Sequence, residues 1–133
     1  MEKELYSITW KRKLIKTIEY DDHVGYIISY GSHPCCYVIP HKYINPRDLE
    51  PFVHGGVTFE GTKLYLDGPN EKGVCSWVEA DQILGWDYAH AGDYCQFGDN
   101  IIWGTIHTVS ELEFDIKEAI KEVVKLENKG ELN

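Results

Sequence analysis

The chain has 133 residues and carries 22 acidic against 13 basic side chains, a formal net charge of −9. That length suits one domain, residues 1–133, with a core that needs no disulfide or metal staple, and 43% hydrophobic with 26% charged residues is ordinary for a globular fold. The charge balance argues against wrapping DNA or RNA, which takes clustered Lys and Arg to neutralise phosphates, and no apolar run approaches the roughly 20 residues of a membrane helix.

The N-terminal stretch MEKELYSITWKRKL has no apolar h-region, so no signal peptide and no membrane partner are expected, and the cytoplasm is the default location. The segment LYSITWKRKLIKTIEYDD reads as strand or short helix, and the partial alternation of KLIKTIEY favours strand. HVGYIISYG is a β-rich run punctuated by glycine, and CCYVIP is a short strand stopped by Pro40. HKYINPRDLEP reads as a polar loop bracketed by prolines. VHGGVTFEGTKLYLDGPNEKG reads as a loop, a strand, another strand and a turn at Asp67-Gly68-Pro69-Asn70. QILGWDYA is strand-like.

The C-terminal stretch HTVSELEFDIKEAIKEVVKLENKG changes character. Leu112, Ile116, Ala119, Ile120, Val123 and Val124 recur at helical spacing and give one apolar face, predicting a helix of about 20 residues. Ser110 with Glu113 forms a capping-box pattern, Thr108 with Glu111 competes for it, and Gly130 is a plausible stop. The fold class is therefore α+β: a mainly antiparallel sheet packed by a long C-terminal helix.

Cys35, Cys36, Cys75 and Cys95 form no CxxC pattern. Reduced thiols are the expectation, with no structural zinc and no cofactor.

Two stretches could carry chemistry. In His54-Gly55-Gly56-Val57-Thr58 the glycines allow left-handed turns and let backbone amides approach an anion. The alternative is a bulge or tight bend entering a strand. In GWDYAHAGDY, residues 85–94, Trp86, Asp87, His90, Gly92 and Asp93 mix titratable groups, a ring and flexible backbone. Such a loop could line a ligand pocket, hold a metal together with His54, orient a histidine as general base, or only accept backbone hydrogen bonds. The surrounding rings could stack on a nucleobase, or simply fill the core. P-loop, GxSxG and HExxH patterns are missing. Lys11-Arg12-Lys13 is the cationic cluster of the chain, and Arg12 and Arg47 are the charge donors an anionic ligand would use.

CCYVIP, VHGGVTFEG and GWDYAHAGDY, in that order and followed by an acidic helix, resemble a widespread family of small bacteriophage proteins. The resemblance spans roughly residues 35 to 127. Cys36 stands where that family commonly has glycine and Trp86 where it commonly has phenylalanine, changes that bear on pocket shape. The family is similar to phage sponge proteins that sequester nucleotide immune signals, with the anti-CBASS sponges, which hold cyclic dinucleotides, ahead of those that hold cyclic ADP-ribose signals in Thoeris defence. The resemblance implies a non-enzymatic, homo-oligomeric anti-defence protein in the infected cell, with His54, Gly55, Gly56, Thr58, Trp86, Asp87, His90, Gly92 and Asp93 toward the ligand and Arg12 and Arg47 supplying charge. The alternatives are a metal-dependent nucleotide hydrolase or phosphoesterase using His54, Asp87, His90 and Asp93, and an inhibitor that contacts a host defence protein directly.

Overall fold

A computed structural model describes residues 12–30, 33–88, 95–97, 100–102 and 107–129, with 95–97 and 100–102 described in their backbone. Strands β1 (Lys13–Tyr20), β2 (His23–Ser29), β3 (Pro34–Val38), β4 (Phe59–Tyr65) and β5 (Trp77–Asp87) form an antiparallel sheet in the order β1-β2-β3-β5-β4. A short hairpin pairs β6 (Cys95–Phe97) with β7 (Asn100–Ile102). Helix α1 (Pro46–Leu49) precedes a 3-10 turn at Glu50–Phe52, and helix α2 (Val109–Lys129) packs on the sheet, as the α+β expectation required. Among the described residues no helix is long and apolar enough to cross a membrane.

Side-chain alternation along the strands builds two apolar layers. On one face Ile27, Cys36, Val38, Leu84, Trp86 and Tyr88 meet Leu112, Ile116, Ala119, Ile120 and Val123 of α2. The other face gathers Tyr26, Ile28, Cys35, Tyr37, Leu64 and Ile83. The adjacent cysteines of CCYV thus serve opposite layers. Gly25 lets α2 come close, since a Cβ there would lie 2.5 Å from Ile116 Cγ2. Gly85 accepts the Tyr37 ring, whose Cδ1 would lie 2.5 Å from an added Cβ, and Tyr37 meets Phe59 edge-on at 5.4 Å.

β1 and β4 are the outer strands, yet their ends are tied together. The Leu14 amide donates to Asp67 Oδ1 at 2.9 Å, and the Gly68 amide donates to the Arg12 carbonyl at 2.8 Å. The β4–β5 connection therefore reaches the start of β1.

Four local expectations change. The polar loop HKYINPRDLEP contains α1, because Asn45 caps it, accepting the Arg47 amide at 3.1 Å, and Pro46 occupies the first turn, where its missing N–H costs nothing. Ile44 and Leu49 of the same stretch are buried. The region expected to hold two strands holds only β4, whose register shifts between Gly61 and Lys63; this bulge interrupts the alternation and imitates a strand break. The α2 cap is Thr108, whose Oγ1 accepts the Glu111 amide at 3.2 Å, in place of Ser110, which lies inside the helix. The hairpin β6–β7 follows where no strand was expected. Gly130 lies outside the described residues.

Candidate functional site

The end of β5 and the turn before β4 build a cluster of rings on the helix face. Gly55 and Gly56 have φ of 71° and 85°, a left-handed pair that glycine adopts without a Cβ clash. The Gly56 amide donates to the Val53 carbonyl at 3.2 Å and the Thr58 amide to the Gly85 carbonyl at 2.9 Å. The glycines thus make the tight bend entering β4. That bend lays the His54 ring on Tyr88, centroids 4.5 Å apart and planes 12° from parallel. His107, just before the α2 cap, closes the cluster at 5.1 Å from His54 and 4.8 Å from Tyr88.

Beneath the rings runs a polar chain. Trp86 Nε1–H donates to the Tyr88 hydroxyl at 3.1 Å, and that hydroxyl donates to Asp115 Oδ2 at 2.6 Å. Burial pushes the Tyr88 phenol far up, helped by the Cys36 thiol and the bond to Asp115, so it stays a neutral donor. His107 Nδ1 lies 3.5 Å from Glu111 Oε2. Beside these groups a cavity of about 410 Å³ opens, lined by His107, Ser110, Glu111, Phe114 and Asp115. Phe114 is 61% exposed, so the cavity has an uncovered apolar wall.

The structure gathers some of the expected site residues and separates others. His54, Gly55 and Gly56 sit at the ring cluster. Trp86 is 1% exposed and reaches the cluster through its indole N–H, underneath Tyr88. Thr58 is exposed at the entrance to β4. Asp87 falls on the opposite face, beside its register partner Cys35, because β5 runs through it and successive side chains alternate. Arg12 lies at the β1 end, over Tyr30 of the second layer. Arg47 is exposed on α1. His90, Gly92 and Asp93 lie outside the described residues.

The buried thiols are poor nucleophiles. Burial pushes Cys35 up to about 12, with Asp87 adding to the shift, and raises Cys36 still further.

No family model, curated protein or solved structure matches the chain.

Among the described residues, one group has the composition of a metal site: His23, His41 and Glu127. Its geometry is that of a latch. The two imidazoles are stacked at 3.7 Å and 9°, so their lone pairs run side by side instead of converging. His23 Nδ1 meets the Asp21 carbonyl at 2.7 Å and Nε2 meets Glu127 Oε1 at 2.8 Å, while His41 Nε2 meets the Asp22 carbonyl at 2.8 Å. Glu127 Oε2 accepts the amides of His41 and Lys42.

Sequence reasoning missed His107 as a neighbour of His54, Asp115 as the acceptor for the Tyr88 hydroxyl, and buried Gln82. Gln82 accepts the Ile44 amide at 3.1 Å and donates to the Ile44 carbonyl at 2.8 Å, holding the segment before α1 against β5. The available signals were a histidine directly before a helix cap and an aspartate directly before the inward-facing Ile116.

Proposed function

We propose that the protein binds and holds a small nucleotide without cleaving it, of the cyclic immune-signal type that the phage-family resemblance implies. The observation that carries this reading is a cavity of about 410 Å³ walled by His107 and the exposed Phe114, with the His54–Tyr88 stack packed behind His107. The His107 and Phe114 rings that line it are of the kind that stack on nucleobases, a contact worth about 1–3 kcal/mol per base. The imidazole nitrogens and the Ser110 hydroxyl supply polar groups that can fix orientation. The metal-assisted hydrolase reading loses the convergence of His54 and Asp87 on which it drew, since the two lie on opposite sheet faces.

Thermal melting of the purified protein against cyclic dinucleotides, cyclic trinucleotides, cyclic ADP-ribose isomers, NAD and divalent metals tests the reading. A ligand at a hundredfold excess over Kd adds about 2.7 kcal/mol to apparent stability. A large shift with one nucleotide, that nucleotide recovered intact, and its loss in a folded His54→Ala variant are expected. Product in place of intact nucleotide, or a flat panel, overturns it. Asp87→Ala reports whether the ligand also reaches the other face. The homo-oligomer that the resemblance implies is checked by mass measurement in solution.

A further inference from the structure

A second cleft, of about 580 Å³, lies between the start of β1 and the β4–β5 connection, lined by Arg12, Lys13, Asp67, Asn70, Cys75 and Ser76 among others. Its polar groups are unevenly spent. Asp67 Oδ1 accepts the Leu14 amide at 2.9 Å. Asn70 Oδ1 accepts the amides of Lys72 and Val74 at 2.9 and 3.0 Å. The donors are unspent: the Arg12 guanidinium, the Lys13 ammonium, the Asn70 side-chain NH₂ and the Ser76 hydroxyl make no hydrogen bond or ion pair among the described residues.

Arg12 is the focus. Its Nε is buried and has no hydrogen-bond partner, a state that costs free energy unless something supplies an acceptor nearby. The guanidinium is held over the rings of Tyr30 at 5.1 Å and Tyr65 at 5.6 Å. Those contacts orient a cation and leave its N–H fork without an acceptor. Lys63, 5.1 Å over Tyr65 and 4.5 Å over the half-exposed Trp77, adds a further cation alongside.

We propose that this cleft is an oxyanion site that takes a phosphate group on the Arg12 fork, with Lys13, Asn70 and Ser76 as additional donors. A planar guanidinium matches two phosphate oxygens at once. The net charge of −9 opposes anions at long range, so recognition depends on these local donors and on the tyrosines that pre-orient Arg12. The cleft shares no lining residue with the cavity beside the ring cluster, and the proposal stands independently of the function assigned there.

The test is a titration of ¹⁵N-labelled protein with inorganic phosphate at ionic strength held constant with chloride, read at the Arg12 Nε–H and the Asp67–Ser76 amides. Saturable shifts are expected, weakened about tenfold or more in Arg12→Ala and less in Arg12→Lys, which keeps the charge without the fork. Should Arg12→Ala fail to fold, the Lys13→Gln/Ser76→Ala double variant keeps Arg12 and is expected to bind several-fold more weakly. Absence of saturable shifts at these positions overturns the proposal, as does unchanged affinity in folded Arg12→Ala or in the double variant. A parallel titration with adenosine 5′-monophosphate separates the sources: tighter binding than phosphate assigns the site to a nucleotide phosphate, and equal binding to the free anion.

Discussion

Glu127→Ala is the most informative single substitution for the fold. Glu127 lies near the end of α2, and its side chain is 6% exposed, against 5% for His23. It joins three chain segments: His23 at the start of β2, and the His41 and Lys42 amides after β3. The contact to the buried His23 ring is a hydrogen bond to a charged group, worth about 1.5–3 kcal/mol. The two amides belong to exposed residues, so water can replace part of what they lose, and each contributes about 0.5–1 kcal/mol. Removing the carboxylate is therefore expected to cost about 3–4 kcal/mol, a large share of the roughly 5–15 kcal/mol that holds a domain folded. Glu127→Gln keeps shape and one acceptor, and is expected to cost about half as much. Burial alone would raise this carboxyl, but the Lys42 amide, the His23 ring and the His41 amide outweigh it and hold it below its ordinary 4.5. A group depressed in the folded state contributes stability that is complete above the unfolded value and is lost as pH falls through the folded one. Urea denaturation of wild type and Glu127→Gln should show a gap that is present at pH 5 and narrows below about 4.5 as both proteins come to carry a neutral side chain. A cost under about 1 kcal/mol for Glu127→Ala, or a gap that does not narrow on acidification, would refute the latch.

Gly85→Ala puts a Cβ 2.5 Å from the Tyr37 ring and 3.1 Å from the Cys36 carbonyl; a loss of about 2–3 kcal/mol is expected in chemical denaturation, and a neutral result would mean that the ring moves aside freely. Tyr88→Phe keeps the stack on His54 but strands the buried Trp86 N–H and removes the donor to Asp115. It is expected to cost about 2–3 kcal/mol while leaving the rings that line the cavity in place, and a change under about 0.5 kcal/mol would show that the polar chain is not sealed from water. Cys35 and Cys36 are expected to resist a thiol reagent at pH 8 until the protein unfolds, whereas half-buried Cys75 reacts in the native state; native-state labelling of either buried thiol, read by mass spectrometry, would contradict their placement.

The sequence by itself determined what depends on near neighbours. The apolar spacing from Leu112 to Val123 specified α2 and its buried face, because a helix repeats every 3.6 residues whatever it packs on. The β-rich runs specified β1, β2, β3 and the second half of β5, by composition and stops and, in β1, by partial alternation. Tertiary structure decided which of those side chains meet. GWDYAHAGDY reads as one concentrated loop, but β5 extends through Asp87, and a pleated strand sends Trp86 and Tyr88 to the helix layer and Asp87 to the other. The bulge at Gly61 concealed the continuity of β4, since a register shift breaks the periodicity by which strands are read. His54 finds His107, and His23 finds Glu127 across 104 positions, only because α2 lies over the sheet. Pairings of that kind follow from the order and register of strands, which depend on the whole chain closing around one core, and no local stretch of sequence carries that information.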